Sequence, residues 1–303
     1  MKRRILVTGG SGFIGRHVLS LLVDCDYEVF TITRSRLPKI KGVTSFTGNL
    51  LNHAETARHI KQLRASHLIH LAWYTETGAF WHSDINSDWL TSSLHLVRSF
   101  VDNGGEHILI AGSCAEYDWN NGICNEATTA CTQSSLYATS KHNLHCLLEQ
   151  HAGIKSYQLT WARVFFPFGP FEPKAKLLPS LINSMLAQTP IQCSEGSQKR
   201  DFIYIEDVAS AIVALSNGEN RGAFNIGTGE AFSIREIVRY VYRNSDHSKL
   251  VSFSKLSIPP SPPLVVADIT KIKRETNWRP KYNLNQGIDK TISWWEAYHE
   301  AHN

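Results

Sequence analysis

Tyr137 and Lys141, in the stretch LYATSKHNL, stand four residues apart. On a helix that spacing puts the phenol and the ammonium on one side. Ser113 closes an earlier apolar run, HILIAGS. Hydride transfer to a ketone asks for a proton donor at the oxygen, a group that polarises the carbonyl, and a positive charge that lowers the donor's pKa. Tyr137, Ser113 and Lys141 answer those needs in that order. A Tyr and a Lys four apart also occur on plain solvated helices, so the pair takes its meaning from the elements that hold it.

Those elements alternate. Strand-like apolar runs at 5–8, 27–33, 67–71, 107–113 and 157–164 are separated by helical patterns at 12–23, 53–63, 85–101 and 134–150. Such alternation predicts parallel strands with helical crossovers, a doubly wound α/β sheet of Rossmann type. Ser113 then sits at a carboxyl edge, where open α/β sheets bind ligands. From 165 to 173 three prolines among aromatics read as a loop leaving the sheet. Shorter elements follow: helices at 177–187, 207–215 and 233–242, strands at 202–205 and 223–226, and an extended proline-rich loop at 258–263. The expected organisation is a dinucleotide-binding domain over 1–165, joined by segments returning from the C-terminal half, and a smaller interleaved substrate region over 166–303. Asp207 reads as a helix cap, and Trp294 and Trp295 as packing residues on the last helix.

ILVTGGSGFIG places Gly9, Gly12 and Gly15 between a strand and a helix. Gly9 permits a tight turn, Gly12 lets backbone N–H groups approach a pyrophosphate, and Gly15 allows close helix–sheet packing. Strand, spacing and helix agree, so the stretch is expected to bind a dinucleotide. The second strand runs into TITRSRLPK, with no carboxylate from 31 to 40 to meet a ribose 2′-OH. Arg34 and Arg36 suit a 2′-phosphate instead, so NADP(H) is favoured and NAD(H) stays possible.

The 303 residues are 42% hydrophobic and 19% charged, with 31 basic and 27 acidic side chains and a net charge of +4. That balance excludes a disordered chain and gives no reason to expect nucleic acid or a membrane surface. The apolar runs are too short to span a bilayer and no signal-like leader precedes the first strand, so a cytoplasmic protein is expected. Six cysteines without C-x-x-C spacing and fourteen scattered histidines, His142 and His145 among them, point to reduced thiols and no metal centre.

In its ordered motifs the chain resembles the extended short-chain dehydrogenase/reductases, in particular the NAD(P)-dependent nucleotide-sugar epimerase/dehydratase group. TGGSGFIG, IHLAW, GSCAEY, YATSK, RDFIYIEDVASA and DITKIKRETNWRP carry the resemblance over nearly the whole length. It implies Ser113, Tyr137 and Lys141 as catalytic residues, with Lys141 also holding the nicotinamide ribose. It further implies Phe13, Ile14, Asn49, Leu50, Leu71 and Ala72 beside the glycines at the cofactor, and Arg200 on the diphosphate of a nucleotide-diphosphate sugar. Trp73, Tyr74 and Phe80 would line the sugar pocket or pack as a lid. A homodimer is expected, built on a helical face that includes Leu144, Leu147 and Leu148.

The pattern also departs from the family. Where 4,6-dehydratases of the family carry an Asp-Glu pair, this chain has Cys114 and Ala115. Neither serves as the acid or base that elimination needs, and Glu116 stands one position further on. Phe166 takes the place of an Asn found in many relatives, and the segment before Asp268 lacks their arginine. The leading expectation is therefore NADPH-dependent reduction of a nucleotide-activated 4-keto-6-deoxy sugar. The alternatives are an NAD-dependent nucleotide-sugar 4-epimerase and a noncatalytic dinucleotide sensor.

Overall fold

β-Branched and aromatic runs form the central strands, and amphipathic segments form the helices between them. The structure, a computed structural model, describes residues 2–25, 27–34, 39–254 and 262–302. Arg36 and most of the 258–263 loop lie outside them. The first half runs β1 (Arg3–Thr8), α1 (Phe13–Leu22), β2 (Tyr27–Thr33), β3 (Val43–Thr47), α2 (His53–Leu63), β4 (His67–His70), α3 (Ile85–Asp102), β5 (His107–Ser113), β6 (Ile123–Cys124), α4 (Leu136–Lys155) and β7 (Gln158–Val164). The second half adds β8 (Phe166–Phe168), α5 (Leu177–Leu186), β9 (Ile191–Cys193), β10 (Lys199–Arg200), β11 (Phe202–Tyr204), α6 (Ile205–Ser216), β12 (Gly222–Ile226), β13 (Phe232–Ser233), α7 (Ile234–Val241), α8 (Ser245–Ser248), β14 (Val251–Phe253), β15 (Leu264–Ala267), α9 (Thr270–Thr276) and α10 (Leu284–Glu300).

Seven strands make one parallel sheet in the order β12-β7-β5-β4-β1-β2-β3. Connections run outward from β1 towards β3 and from β4 towards β12, so the strand order reverses between β1 and β4. Both faces are covered, which is why Ile5, Leu6 and Val7 of β1 are all fully buried. One core packs α1 and α6 against the sheet; the other packs α2, α3 and α4. Leu144 and Leu148 of α4 are fully buried in that second core, and Leu147 alone of the three expected interface leucines is exposed. Among the described residues no helix is long and apolar enough to cross a membrane.

Several elements differ from expectation for local reasons. The 165–173 segment contains β8, which pairs in parallel with β11, Phe166 opposite Phe202. Proline is tolerated there because the pair is a two-stranded ribbon with open edges. α4 continues to Lys155, stopped by Ser156 in the left-handed conformation at φ 58°. Asp207 is not the cap of α6 but lies inside its first turn; its carboxylate accepts the backbone N–H groups of Lys281 (2.9 Å) and Tyr282 (3.0 Å). It thereby ties down the chain that leads to α10. Trp295 is buried and Trp294 packs edge-on to Phe171.

Candidate active site

At the end of β1 the chain turns through Gly9 at φ +75°, and a Cβ there would lie 2.7 Å from the Ala72 nitrogen. A Cβ on Gly15 would run into the Gly9 carbonyl oxygen. The two glycines therefore let α1 start directly against the ends of β1 and β4, at the point where strand order reverses. Gly12 caps α1 without a side-chain hydrogen bond, so the first-turn N–H groups face this cleft with the helix dipole. Phe13 and Ile14 are partly buried in that turn, and Leu71 and Ala72 border it from the end of β4. These features fit a dinucleotide pyrophosphate.

Arg34 is exposed immediately after β2. Asn49 follows β3, but its side-chain oxygen accepts Leu51 N–H at 3.1 Å and its own N–H donates to Glu55 at 3.1 Å. It builds the turn into α2, and Leu50 beside it is buried.

Ser113 is the last residue of β5 and the cap of a short 3₁₀ turn over Cys114–Glu116. Its hydroxyl accepts Ala115 N–H at 3.2 Å and lies near enough to the Tyr137 phenol to favour its ionised form. Tyr137 sits in the first turn of α4, capped by Ser135, and is 8% exposed. Burial pushes its pKa well above the ordinary phenol value, with the Ser113 contact opposing. Lys141, one turn on, is buried too. Its ammonium donates to the Ala111 carbonyl at 2.6 Å and lies 3.9 Å from the centre of the Trp73 ring. Desolvation lowers its pKa to about 7, against the pull of the Glu116 charge. The structure thus brings Ser113 beside Tyr137 and packs Lys141 against β5 and Trp73.

Tyr137 is covered by aromatic rings. Phe80, Trp81 and Trp73 meet it edge-on at centroid distances of 4.9, 5.8 and 6.5 Å. Phe80 is 8% exposed, so it packs as a lid. Tyr74 lies at the edge of the same cluster, its hydroxyl donating to Glu76 at 2.8 Å. Asn86, on α3, fastens the cover: it accepts from the Trp73 indole at 2.9 Å and donates to the carbonyls of Phe80 (2.7 Å) and Ser83 (2.8 Å). No spacing rule marks Asn86 in the sequence; its role comes from being buried opposite three lid groups.

Arg200 is buried at the end of β10. It donates to the Lys199 (2.7 Å) and Pro262 (2.9 Å) carbonyls, with its guanidinium carbon 5.9 Å from the Trp119 ring centre and 5.8 Å from that of Phe166. Its neighbour Asp201 is fully buried and accepts from Thr228 N–H and hydroxyl (2.8 and 2.7 Å), Gly229 N–H (3.0 Å) and Ala267 N–H (3.1 Å). Sequence reasoning passed over Asp201, though an acid directly after the arginine of a strand was a visible signal.

Glu116 is fully engaged by its neighbours. It accepts Ser113 N–H (2.7 Å), the Trp161 indole (2.9 Å) and Arg163 Nε (2.9 Å), and it is completely buried. A carboxylate held by three donors is not placed as an eliminating acid or base, and Cys114 and Ala115 beside it are buried and non-acidic. His142 and His145 come within 4.8 Å of Glu116. Arg163 already supplies the positive charge at that carboxylate, which works against a cation there. His145, stacked on Trp161 at 4.8 Å, is held neutral by burial, its pKa pushed down to about 3.

A glycine-cradled helix start at the switch point of a parallel sheet, with a half-buried serine and a buried tyrosine beside it, defines an NAD(P)-dependent enzyme of the extended short-chain dehydrogenase/reductase type. The model of the NAD dependent epimerase/dehydratase family matches residues 5–227, and the chain belongs to that family. It is 24% identical to the dTDP-4-dehydro-6-deoxyglucose reductase of Escherichia coli over 96% of this chain and 97% of the relative. Its fold is similar to that of the UDP-N-acetylglucosamine 4-epimerase of Methanobrevibacter ruminantium M1, with a TM-score of 0.88, 21% identity and coverage of 98% and 100%. The UDP-glucose 4-epimerase of Thermus thermophilus, solved with NAD, superposes with a TM-score of 0.83 at 22% identity, covering 97% and 99%.

Proposed function

We propose that the chain reduces a nucleotide-activated 4-keto-6-deoxy sugar with NADPH. The observation that carries this reading is the convergence of Ser113 and Tyr137 beside Cys114 and Ala115, with Glu116 locked into a buried ion pair. That arrangement can deliver a proton to a carbonyl oxygen and has no acid placed for dehydration. The name of the Escherichia coli relative supports the same reaction.

NADPH, when bound, supplies the hydride. Ser113, whose oxygen is already engaged by Ala115 N–H, would donate a hydrogen bond to the sugar carbonyl oxygen, keeping its own proton, and hold that oxygen in place. Tyr137, kept protonated by burial, gives that oxygen its proton. Lys141 brings a charge that is gained or lost near neutral pH, and with it controls how readily the phenol releases its proton. Arg34 would hold the adenosine 2′-phosphate and Arg200 the substrate diphosphate. The aromatic cover excludes water from the transfer.

The NAD-dependent 4-epimerase is a second reading, favoured by the closed cover over Tyr137. An enzyme that returns its hydride in each turnover has no need to exchange its cofactor. A panel of nucleotide-linked 4-keto sugars, followed by nicotinamide absorbance and product NMR, separates the two. Net oxidation of NADPH supports the reductase; inversion at C4 without net oxidation replaces it with the epimerase. The same reading takes residues 1–165 as the dinucleotide domain and 166–303 as the sugar-nucleotide region, in a cytoplasmic homodimer whose contact includes exposed Leu147. Sedimentation showing only monomer at working concentration would refute the dimer.

A further inference from the structure

Between Ser113 and Arg200 stands Trp119, which belongs to no motif. Its indole N–H donates to the Cys114 carbonyl at 2.7 Å, so its one polar atom is spent beside the residue that follows Ser113. The ring packs against the Tyr137 cluster with Ala115 and also against the main core. Phe166 lies 6.3 Å away at 52°, and the Arg200 guanidinium sits close to both rings. Trp119 and Phe166 are each partly exposed, whereas Cys114, Ala115 and Tyr137 are buried. The surface leading from the reaction centre to the arginine is therefore aromatic carbon fixed in place by a hydrogen bond.

We infer that Trp119 and Phe166 form a platform for the carbon-rich face of the substrate sugar and select a pyranose deoxygenated at C6. This rests on the proposed roles of Ser113 and Tyr137 at the carbonyl and Arg200 at the diphosphate. A sugar spanning those two ends must cross the indole. Its C–H groups and a C6 methyl gain contact with the rings. A C6 hydroxyl laid on the ring faces, at the end away from Arg200, loses water and finds no strong partner, because the Trp119 N–H is already bonded and the neighbouring side chains of Cys114, Ala115 and Phe166 are apolar or weak acceptors.

The test is binding by titration calorimetry to the full chain with NADPH, using thymidine diphosphate 6-deoxyglucose and thymidine diphosphate glucose, and the uridine diphosphate pair. None of these ligands is a ketone to be reduced, so the readout does not depend on the reaction. Wild type is expected to bind the 6-deoxy ligand at least about tenfold tighter, the scale on which an apolar pocket discriminates. Trp119→Ala should bring the two ligands within about threefold by weakening the 6-deoxy ligand, and Trp119→Phe should keep most of the preference. The phenylalanine variant also covers the case in which the alanine variant fails to fold. Equal affinities in wild type, or a preference unchanged in Trp119→Ala, overturn the platform while leaving nucleotide-sugar binding intact. Binding of none of the four ligands overturns both.

Discussion

The Lys141 ammonium donates to the carbonyl of Ala111 across 2.6 Å, with the face of Trp73 3.9 Å away on another side. It is buried, and desolvation brings its pKa from 10.5 to about 7. Between those two values the unfolded chain holds the proton and the folded one does not. The folded pKa is the lower, so stability rises with pH across this window, and the cost of burying the group is greatest below about 7. Lys141→Met keeps the stem and removes the amine. It should abolish turnover yet stabilise the free protein on the order of 2 kcal/mol near neutral pH, with the advantage shrinking towards pH 10. Denaturant unfolding at several pH values checks it; an advantage that grows with pH would contradict the argument.

Tyr137→Phe removes the proposed proton donor and keeps the ring that Phe80, Trp81 and Trp73 pack against. Turnover should fall about 10²- to 10⁴-fold, the range for a positioned general acid, with cofactor affinity little changed. Because burial raises the phenol pKa, wild-type activity should not be lost through phenol ionisation at moderately alkaline pH. Steady-state kinetics beside a cofactor titration decides it, and near-normal turnover in the variant would remove Tyr137 from the mechanism.

Glu116 holds Ser113 by its backbone N–H at 2.7 Å and Arg163 by its guanidinium at 2.9 Å, with both charges out of water. Removing one charge strands the other, so Glu116→Ala should cost about 3–5 kcal/mol. Glu116→Gln retains an acceptor for Ser113 N–H and should keep more activity than the alanine variant. Thermal unfolding and kcat measured together test this, since a catalytic acid would lose activity in Gln as fully as in Ala.

The sheet was legible because its strands are continuous apolar runs, and burial on both faces leaves such a run no other solution; β2 and β5 match their expected limits residue for residue. β3 was not, because its sequence VTSFT is an edge strand with exposed positions and no apolar run to announce it. The Ser113–Tyr137 pair follows from a strand end and a helix start, both readable. The lid and its Asn86 staple depend on where a loop folds back, which no local periodicity encodes. Asp207 misled for a similar reason: an acid at a helix start looks like a cap, while its partners at Lys281 and Tyr282 lie far along the chain.

Cofactor choice is the cheapest discriminator between reductase and epimerase. Arg34 is exposed where β2 ends, and a 2′-phosphate would bring roughly −1.5 to −2 charges to that place. Arg34→Asp should weaken NADPH by about 1.5–3 kcal/mol, the range for hydrogen bonds to charged groups, and spare or improve NADH. Because the side chain is open to solvent, the NADPH preference of the wild type should also shrink as salt rises. Fluorescence titrations of both cofactors, in both proteins, at low and high ionic strength give the full comparison. Equal affinities in wild type, unchanged by the substitution, would make Arg34 a solvated loop residue and move the assignment to the NAD-dependent epimerase.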